Sequence, residues 1–424
     1  MMIMCSSPAA FTGTIPAIIS KSDAHRLLIC AALSKQPTRL HMPGPLGEDI
    51  NATIRCLTAL GAAFHRDGDD VIVTPPTAYA KNPVFDCGES GSTLRFLLPV
   101  AAAIGCGGTF TGTGRLPDRP IAPLIWALEA GGISFDGDAL PLRISGRLKS
   151  GEYLLPGNIS SQFISGFLLA LPLLEGGGEI RLTQTLESAG YVDMTLHALS
   201  RFSINVRRSA QAFAVEAQAY RSPGTLRVEG DWSNMAFFLA AGFLRGPIRL
   251  TGLSMPSLQG DSAIAGLLKQ FGAEISMEEG VLSVSAGKRR SAIREIDMRP
   301  IPDLLPVLAV LAAVSEGKTR FIHAARLRLK ESDRLKSVHD MILALGGNAT
   351  IGKDFLAISG EPSLMGGTVL SNNDHRIAMA AAIAATVCDL PVTIFDAEAV
   401  NKSYPTFFED YRMLGGIAHV VHDR

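Results

Sequence analysis

The chain alternates two kinds of apolar segment. The first carries its apolar residues on one helical face, ends in a small-residue turn and runs into a short β-like stretch. It occurs at "IRCLTALGAAFHRDGDDVIVTP", "LIWALEAGGISFDGDALPLRIS", "LHALSRFSINVRRSAQAFAVEA", "IAGLLKQFGAEISMEEGVLSVS" and "VHDMILALGGNATIGKDFLAIS". A truncated copy, "FEDYRMLGGIAHVV", closes the chain. Apolar stripes of this period predict helices with one buried face. Their turns, at Gly61, Gly131, Phe202, Gly272, Gly346 and Gly415, recur at intervals of roughly 70 residues, beyond the ~20–50 of solenoid repeats. Each repeat is therefore expected to be a whole α/β subdomain.

The second kind is apolar on all sides, with its polar residues crowded at the start. Six such segments are "SKSDAHRLLICAALS", "GESGSTLRFLLPVAAA", "NISSQFISGFLLALPLL", "GDWSNMAFFLAAGFL", "IPDLLPVLAVLAAV" and "NDHRIAMAAAIAA". A helix apolar all round belongs in a core, so each repeat should wrap a sheet and an outer helix around one buried helix. Helix N-termini expose unpaired N–H groups and a partial positive charge, which favour anions. Lys21 and Arg26 in the first segment, Arg95 in the second and Arg376 in the sixth strengthen that field. Ser, Asp and Asn at the same places also suit simple N-caps.

At 424 residues, 47% of them hydrophobic, the chain is too long for one ordinary core and suggests two domains. A net charge of −1 argues against a surface that wraps nucleic acid. Apolar runs such as Phe96 to Gly105 and Phe163 to Leu174 fall short of the ~20 residues of a membrane span. The N-terminus lacks the pattern of a signal peptide. Six cysteines (Cys5, Cys30, Cys56, Cys87, Cys106, Cys388) form neither a CxxC nor a Cys/His cluster, so no disulfide frame, metal or other cofactor is expected. A cytoplasmic, monomeric protein acting on small molecules, with no membrane or nucleic-acid partner, is the expectation.

Another dense polar stretch is "RLRLKESDRLKS", Arg326 to Ser337, where helical spacing would put Lys330 and Arg334 on one face with Glu331 beside them. Arg119 in "GRLPDRP" and Lys402 in "VNKSYP" stand at repeat junctions. Several cations with a few carboxylates, and neither a nucleophilic triad nor a nucleotide-binding loop, suggest polyanionic substrates and proton transfer.

With these motifs assembled, the chain resembles the 5-enolpyruvylshikimate-3-phosphate synthase (3-phosphoshikimate 1-carboxyvinyltransferase) family of enolpyruvyl transferases. The resemblance spans nearly the whole length, through "SKSDAHR", "GESGSTLR", "RLPDRP", "SSQF", "ESAGYVD", "EGDWS", "IPD", "KESDRL", "NDHR" and "NKSYP" in that order. It implies an α/β (α+β) protein of two similar domains, each of three βαβαββ-type repeats around buried parallel helices, an inside-out α/β barrel. Residues 1–18 with 229–424 would form the C-terminal lobe, residues 19–228 the N-terminal lobe, and the active site would lie in the interdomain cleft.

The reaction implied is transfer of the enolpyruvyl group of phosphoenolpyruvate to the 5-hydroxyl of shikimate 3-phosphate by addition and elimination, a step toward chorismate and aromatic amino acids. By resemblance, Lys21, Ser22, Arg26, Ser160, Ser161, Gln162, Ser188, Asp303 and Lys330 contact shikimate 3-phosphate. Lys21, Gly91, Arg119, Gln162, Arg334, Arg376 and Lys402 contact phosphoenolpyruvate. Asp303 would handle the 5-hydroxyl proton and Glu331 the proton at C3, with Lys21 completing the catalytic set. The chain departs from the family pattern at Glu89, Phe96 and Arg326, positions that bear on binding of the family's inhibitor glyphosate. The related transferase acting on UDP-N-acetylglucosamine shares the fold, but is expected to carry a reactive Cys in the loop matching Thr111 to Pro120; here that loop has none.

Overall fold

The computed structural model describes residues 1–287 and 291–423. The chain divides into two compact units, Ile19–Val228 and Met1–Ile18 with Glu229–Arg424. In Ile19–Val228 the helices run in inner and outer pairs: α1 (Lys21–Leu33) and α2 (Glu48–Ala59), α3 (Gly91–Ile104) and α4 (Ala122–Ala130), α5 (Ser161–Ala170) and α6 (Ala189–Arg201). The other unit repeats the order with α7 (Trp232–Arg245) and α8 (Ile264–Phe271), α9 (Leu305–Ala313) and α10 (Arg334–Ala344), α11 (His375–Ala385) and α12 (Phe407–Met413).

The odd-numbered helices are the all-apolar segments and are buried almost end to end, α9 and α11 completely. The even-numbered ones bury a single stripe, as in α2, where Ile50, Ala52, Thr53, Cys56 and Leu57 face inward. Burying every face of a helix removes water from its backbone, so each inner helix needs its first N–H groups capped. Ser20, Ser90, Ser160, Asp231 and Asp374 do this with their side chains. The sixth, α9, instead enters through a 3₁₀ turn, Pro302–Leu304. Pro302 and Pro306 sit where a missing N–H costs nothing.

Each repeat ends in a four-stranded sheet. In the second repeat Val84–Asp86 runs parallel to Gly108–Thr111, which pairs antiparallel with Leu142–Ser145 and that with Ser134–Asp136. The others follow the same βαβαββ plan, but three sheets are completed from a distance. Thr225–Arg227 closes the first sheet against Thr38–His41. Gly13–Pro16 opens the sheet of α7 beside Ile248–Thr251. The closing repeat, which reads as truncated, is whole: Met2–Ser7 inserts between Val392–Phe395 and Ile417–Asp423.

Inner helices approach closely where side chains allow it. Pro99 cannot donate to the Arg95 carbonyl four residues earlier, and that carbonyl faces Gly166 of α5, where a Cβ would collide with it. Glycine thus sets the α3–α5 contact that carries Arg95 and Gln162.

Candidate active site

Buried polar side chains collect at the N-terminal ends of the inner helices, one cluster in each unit. In the larger-numbered unit the centre is Arg334, the first residue of α10 and fully buried. Its Nε donates to Asp374 at 3.0 Å, Nη1 to Asp303 at 2.7 Å and Nη2 to Glu331. Asp303 also accepts Lys330 Nζ at 3.3 Å and Arg376 Nη2 at 2.9 Å, so its two oxygens serve three cations. Asp374 caps α11 and takes the Ser332 hydroxyl at 3.0 Å. Asn372 and Asn373 both adopt positive φ just before it, a conformation Asn tolerates better than most residues. The Asn373 carbonyl accepts Lys402 Nζ at 2.6 Å.

This local geometry corrects one expectation. Lys330 to Asp333 are not helical: a 3₁₀ turn, Ala325–Leu329, ends before them and α10 begins after them. The reason is Asp333, whose side chain accepts the Lys336 N–H and starts a new helix. Lys330 and Glu331 therefore reach Asp303 and Arg334 from an irregular segment.

Burial opposes the charge on Arg334, but Asp374, Glu331 and Asp303 outweigh it and hold the guanidinium above its usual pKa. Burial lowers the Lys330 ammonium, with Asp303 resisting. Behind the cluster lies Asp261, which accepts the Ser233 hydroxyl. Burial first, and then the charge of Asp303, push its carboxyl up to about 7, against the pull of Arg376.

Asp261 thus keeps a proton in the folded chain that an unfolded one, titrating near ~3.9, has lost. More protons bound to the folded state means stability that falls as pH rises from about 4 to about 7. In Asp261→Asn that loss should vanish. Denaturant unfolding is expected to show the variant gaining on the natural protein by up to about 4 kcal/mol over this window. An unchanged difference between pH 4.5 and pH 7.5 would show that Asp261 titrates normally.

In the unit Ile19–Val228, Lys21 opens α1 and its Nζ pairs with Asp49 at 2.8 Å. Arg26 is buried, donating to Thr195 at 2.7 Å and to the carbonyls of Ser22 and Tyr191, with its Cζ 5.0 Å above the Phe96 ring. Burial lowers its pKa to about 10. Arg95 donates to Gln162 Oε1 and to the Pro120 carbonyl, both at 2.9 Å, and Gln162 in turn donates to Ser92. A Cβ on Gly91 would lie 2.6 Å from Arg95 Nη1 and 2.8 Å from Arg119 Nη1, so glycine lets two guanidinium groups close on the tip of α3. Glu89 packs its carboxyl against Gly114. Ser160 caps α5 and Ser161 and Gln162 form its first turn, while Ser188 takes the N-cap position of α6 with positive φ and no capping bond from its side chain.

The structure thus gathers Asp303, Lys330, Glu331, Arg334, Arg376 and Lys402 in one cluster. Lys21, Ser22, Gly91, Arg119, Ser160, Ser161, Gln162 and Ser188 stand at helix starts and turns of the other unit, and Arg26 lies in the second turn of α1. Sequence reading overlooked Asp49 and Asp261, and took Asp374 only as part of a motif. A lone acid opening an amphipathic helix gives no signal; Asp374 alone could have been suspected, from its place beside Arg376.

Comparison with known proteins follows the same lines. The sequence profile of the EPSP synthase (3-phosphoshikimate 1-carboxyvinyltransferase) family matches residues 6–411. The chain is 41% identical over 420 residues to the 3-phosphoshikimate 1-carboxyvinyltransferase of Clostridium kluyveri, covering 98% of each. It is 42% identical over 421 residues to that of Clostridium acetobutylicum, covering 97% of each. Among solved structures, an EPSP synthase from Acinetobacter baumannii aligns over 100% of both chains with TM-score 0.84 and 26% identity. The enolpyruvyl transferase NikO from Streptomyces tendae, at 16% identity, shares the fold with TM-score 0.79 over 100% of this chain and 99% of its own.

Proposed function

The chain belongs to the EPSP synthase (3-phosphoshikimate 1-carboxyvinyltransferase) family, and from that premise we propose that it transfers the enolpyruvyl group of phosphoenolpyruvate to the 5-hydroxyl of shikimate 3-phosphate, releasing phosphate. The observation that carries this reading is Asp303, a carboxylate bridging Lys330, Arg334 and Arg376 with Glu331 on the same arginine. Guanidinium forks match phosphate and carboxylate oxygens in pairs. A cluster of cations held by carboxylates can exchange those partners for substrate anions.

That exchange supplies the chemistry. In the free protein both Asp303 oxygens are engaged by cations. Arrival of anionic groups gives Lys330 and Arg376 other partners and frees Asp303 to accept the 5-hydroxyl proton as the oxygen adds to C2 of phosphoenolpyruvate. Glu331, in its protonated form and held at one oxygen by Arg334, delivers a proton to C3 and takes it back in the elimination, while the 5-hydroxyl proton held by Asp303 goes to the departing phosphate. Lys21, Ser22, Arg26, Ser160, Ser161, Gln162, Ser188 and Lys330 are assigned to shikimate 3-phosphate, and Lys21, Gly91, Arg119, Gln162, Arg334, Arg376 and Lys402 to phosphoenolpyruvate. The two clusters then serve one reaction, in a protein that works as a cytoplasmic monomer. Among the described residues no helix is long and apolar enough to cross a membrane.

The direct test is phosphate release. It should appear with both substrates present and vanish when either is left out or when UDP-N-acetylglucosamine replaces shikimate 3-phosphate; release with the nucleotide sugar would favour the related transferase. A second expectation concerns Gly91→Ala. The added methyl must push aside the Arg95 and Arg119 guanidiniums. The KM for phosphoenolpyruvate should rise about tenfold or more, the equivalent of about 1.4 kcal/mol, while that for shikimate 3-phosphate stays close to its original value. Equal changes in both would argue for general disruption of α3.

A further inference from the structure

His25 is fully buried on α1, one turn beyond Lys21. Its Nδ1 lies 2.7 Å from Thr53 Oγ1 on α2, and that hydroxyl lies 2.6 Å from Thr93 Oγ1 on α3. Thr93 donates onward to Ser90 Oγ at 2.7 Å. Ser90 is the cap of α3 and also accepts the Thr93 N–H at 3.2 Å. The relay therefore ties the second turns of α1 and α2 to the first turn of α3, just beyond Lys21, Asp49 and Gly91.

The direction of the relay follows from its dead end. The other ring nitrogen, Nε2, is buried without a hydrogen-bond partner, in a ring that meets Phe96 edge-on at 6.5 Å. A buried N–H left unmade is rarer in proteins than an under-used acceptor. The proton therefore belongs on Nδ1, and donation runs from His25 through Thr53 and Thr93 to Ser90. Burial, with the charges of Lys21 and Arg26, holds the imidazole well below its usual pKa and so neutral.

We propose that His25 is a positioning residue: acting through the Thr53, Thr93 and Ser90 hydroxyls, it holds the starts of α1, α2 and α3 in the one arrangement that presents Gly91 and Lys21 to phosphoenolpyruvate. The activity part of this inference rests on the reaction proposed above. A histidine that merely fills the core would contribute to stability alone. Its ring could then be replaced by anything of similar size, and the identity of the hydrogen-bonding atom would not matter to substrate affinity.

Three variants separate the two roles. Asn places its amide nitrogen where Nδ1 stands, Gln places it near Nε2, and Thr53→Val removes the second link while keeping its shape. His25→Gln and Thr53→Val are expected to raise the KM for phosphoenolpyruvate about tenfold, the cost of about one net hydrogen bond, with kcat within about twofold. His25→Asn should bring KM back to within about twofold of the natural protein. Independently of activity, long-range proton–nitrogen spectra of histidine-labelled protein should show the Nδ1–H tautomer, unchanged between pH 5.5 and 8. An Nε2–H tautomer overturns the relay. So does an Asn variant as impaired as Gln, or a Thr53→Val protein that loses thermal stability while keeping its KM. If the natural protein releases no phosphate, the proposed reaction fails while the tautomer result still decides the relay.

Discussion

Replacing Arg334 with methionine is expected to destabilise the unit Met1–Ile18 with Glu229–Arg424 by about 3–5 kcal/mol, because it strands a buried carboxylate. Asp374 and Arg334 both have side chains with 0% exposure, so water cannot take over from the lost guanidinium. For a unit of about 200 residues, 1 kcal/mol moves Tm by about 2–4 °C, so its unfolding transition should fall by about 10 °C. The double variant Arg334→Met/Asp374→Asn should recover much of this. Asn can still cap α11 and leaves no charge behind. Recovery would identify the stranded charge, and not lost packing, as the cause. A transition within about 2 °C of the natural protein in Arg334→Met would mean that the cluster is hydrated and its ion pairs weak.

The largest effect on turnover should come from Glu331→Gln and Asp303→Asn. Each removes a group assigned to proton transfer while keeping its size, and positioned acid–base groups contribute about 10²–10⁴-fold. A loss of about 10³-fold in kcat is expected for each. Binding should behave differently. Glu331→Gln keeps an acceptor for Arg334, and Asp303→Asn takes away the carboxylate that competes with substrate for Lys330, Arg334 and Arg376. Affinity for shikimate 3-phosphate, measured by titration calorimetry, should therefore hold steady or increase. Turnover near the natural rate in both variants would remove them from the chemistry, and a matching collapse of binding would recast them as structural.

These expectations differ in how far they could be seen in the sequence. Glu331 and Arg334 stand in "KESDRL", a motif specific enough to identify, so the resemblance marks them at once. Their shared geometry was not legible. The stretch suits a continuous helix, and only the capping bond of Asp333 to Lys336 shows that it breaks. Asp374 is 40 positions from Arg334, and Asp49 is 28 from Lys21; nothing in local pattern says which acid meets which base across such gaps. His25 is harder still. In sequence it is one more residue in an apolar helix, and its hydroxyl partner Thr53 lies on α2, with Thr93 and Ser90 beyond it on α3 and at its cap.

What the sequence determines by itself is local: which helices are wrapped in core and which present one face, where each is capped, and that the unit repeats. Those follow from the periodicity of apolar residues and the hydrogen-bonding needs of helix ends, both read within a few residues. Tertiary structure alone decides the pairings. It brings Met2–Ser7 into a sheet with Ile417–Asp423, gathers Lys330, Arg334 and Arg376 on Asp303, and runs the donor chain from His25 to Ser90. The physical reason is reach: a backbone pattern acts between neighbours, whereas an ion pair or a sheet edge needs two segments that only packing can bring to within about 3 Å.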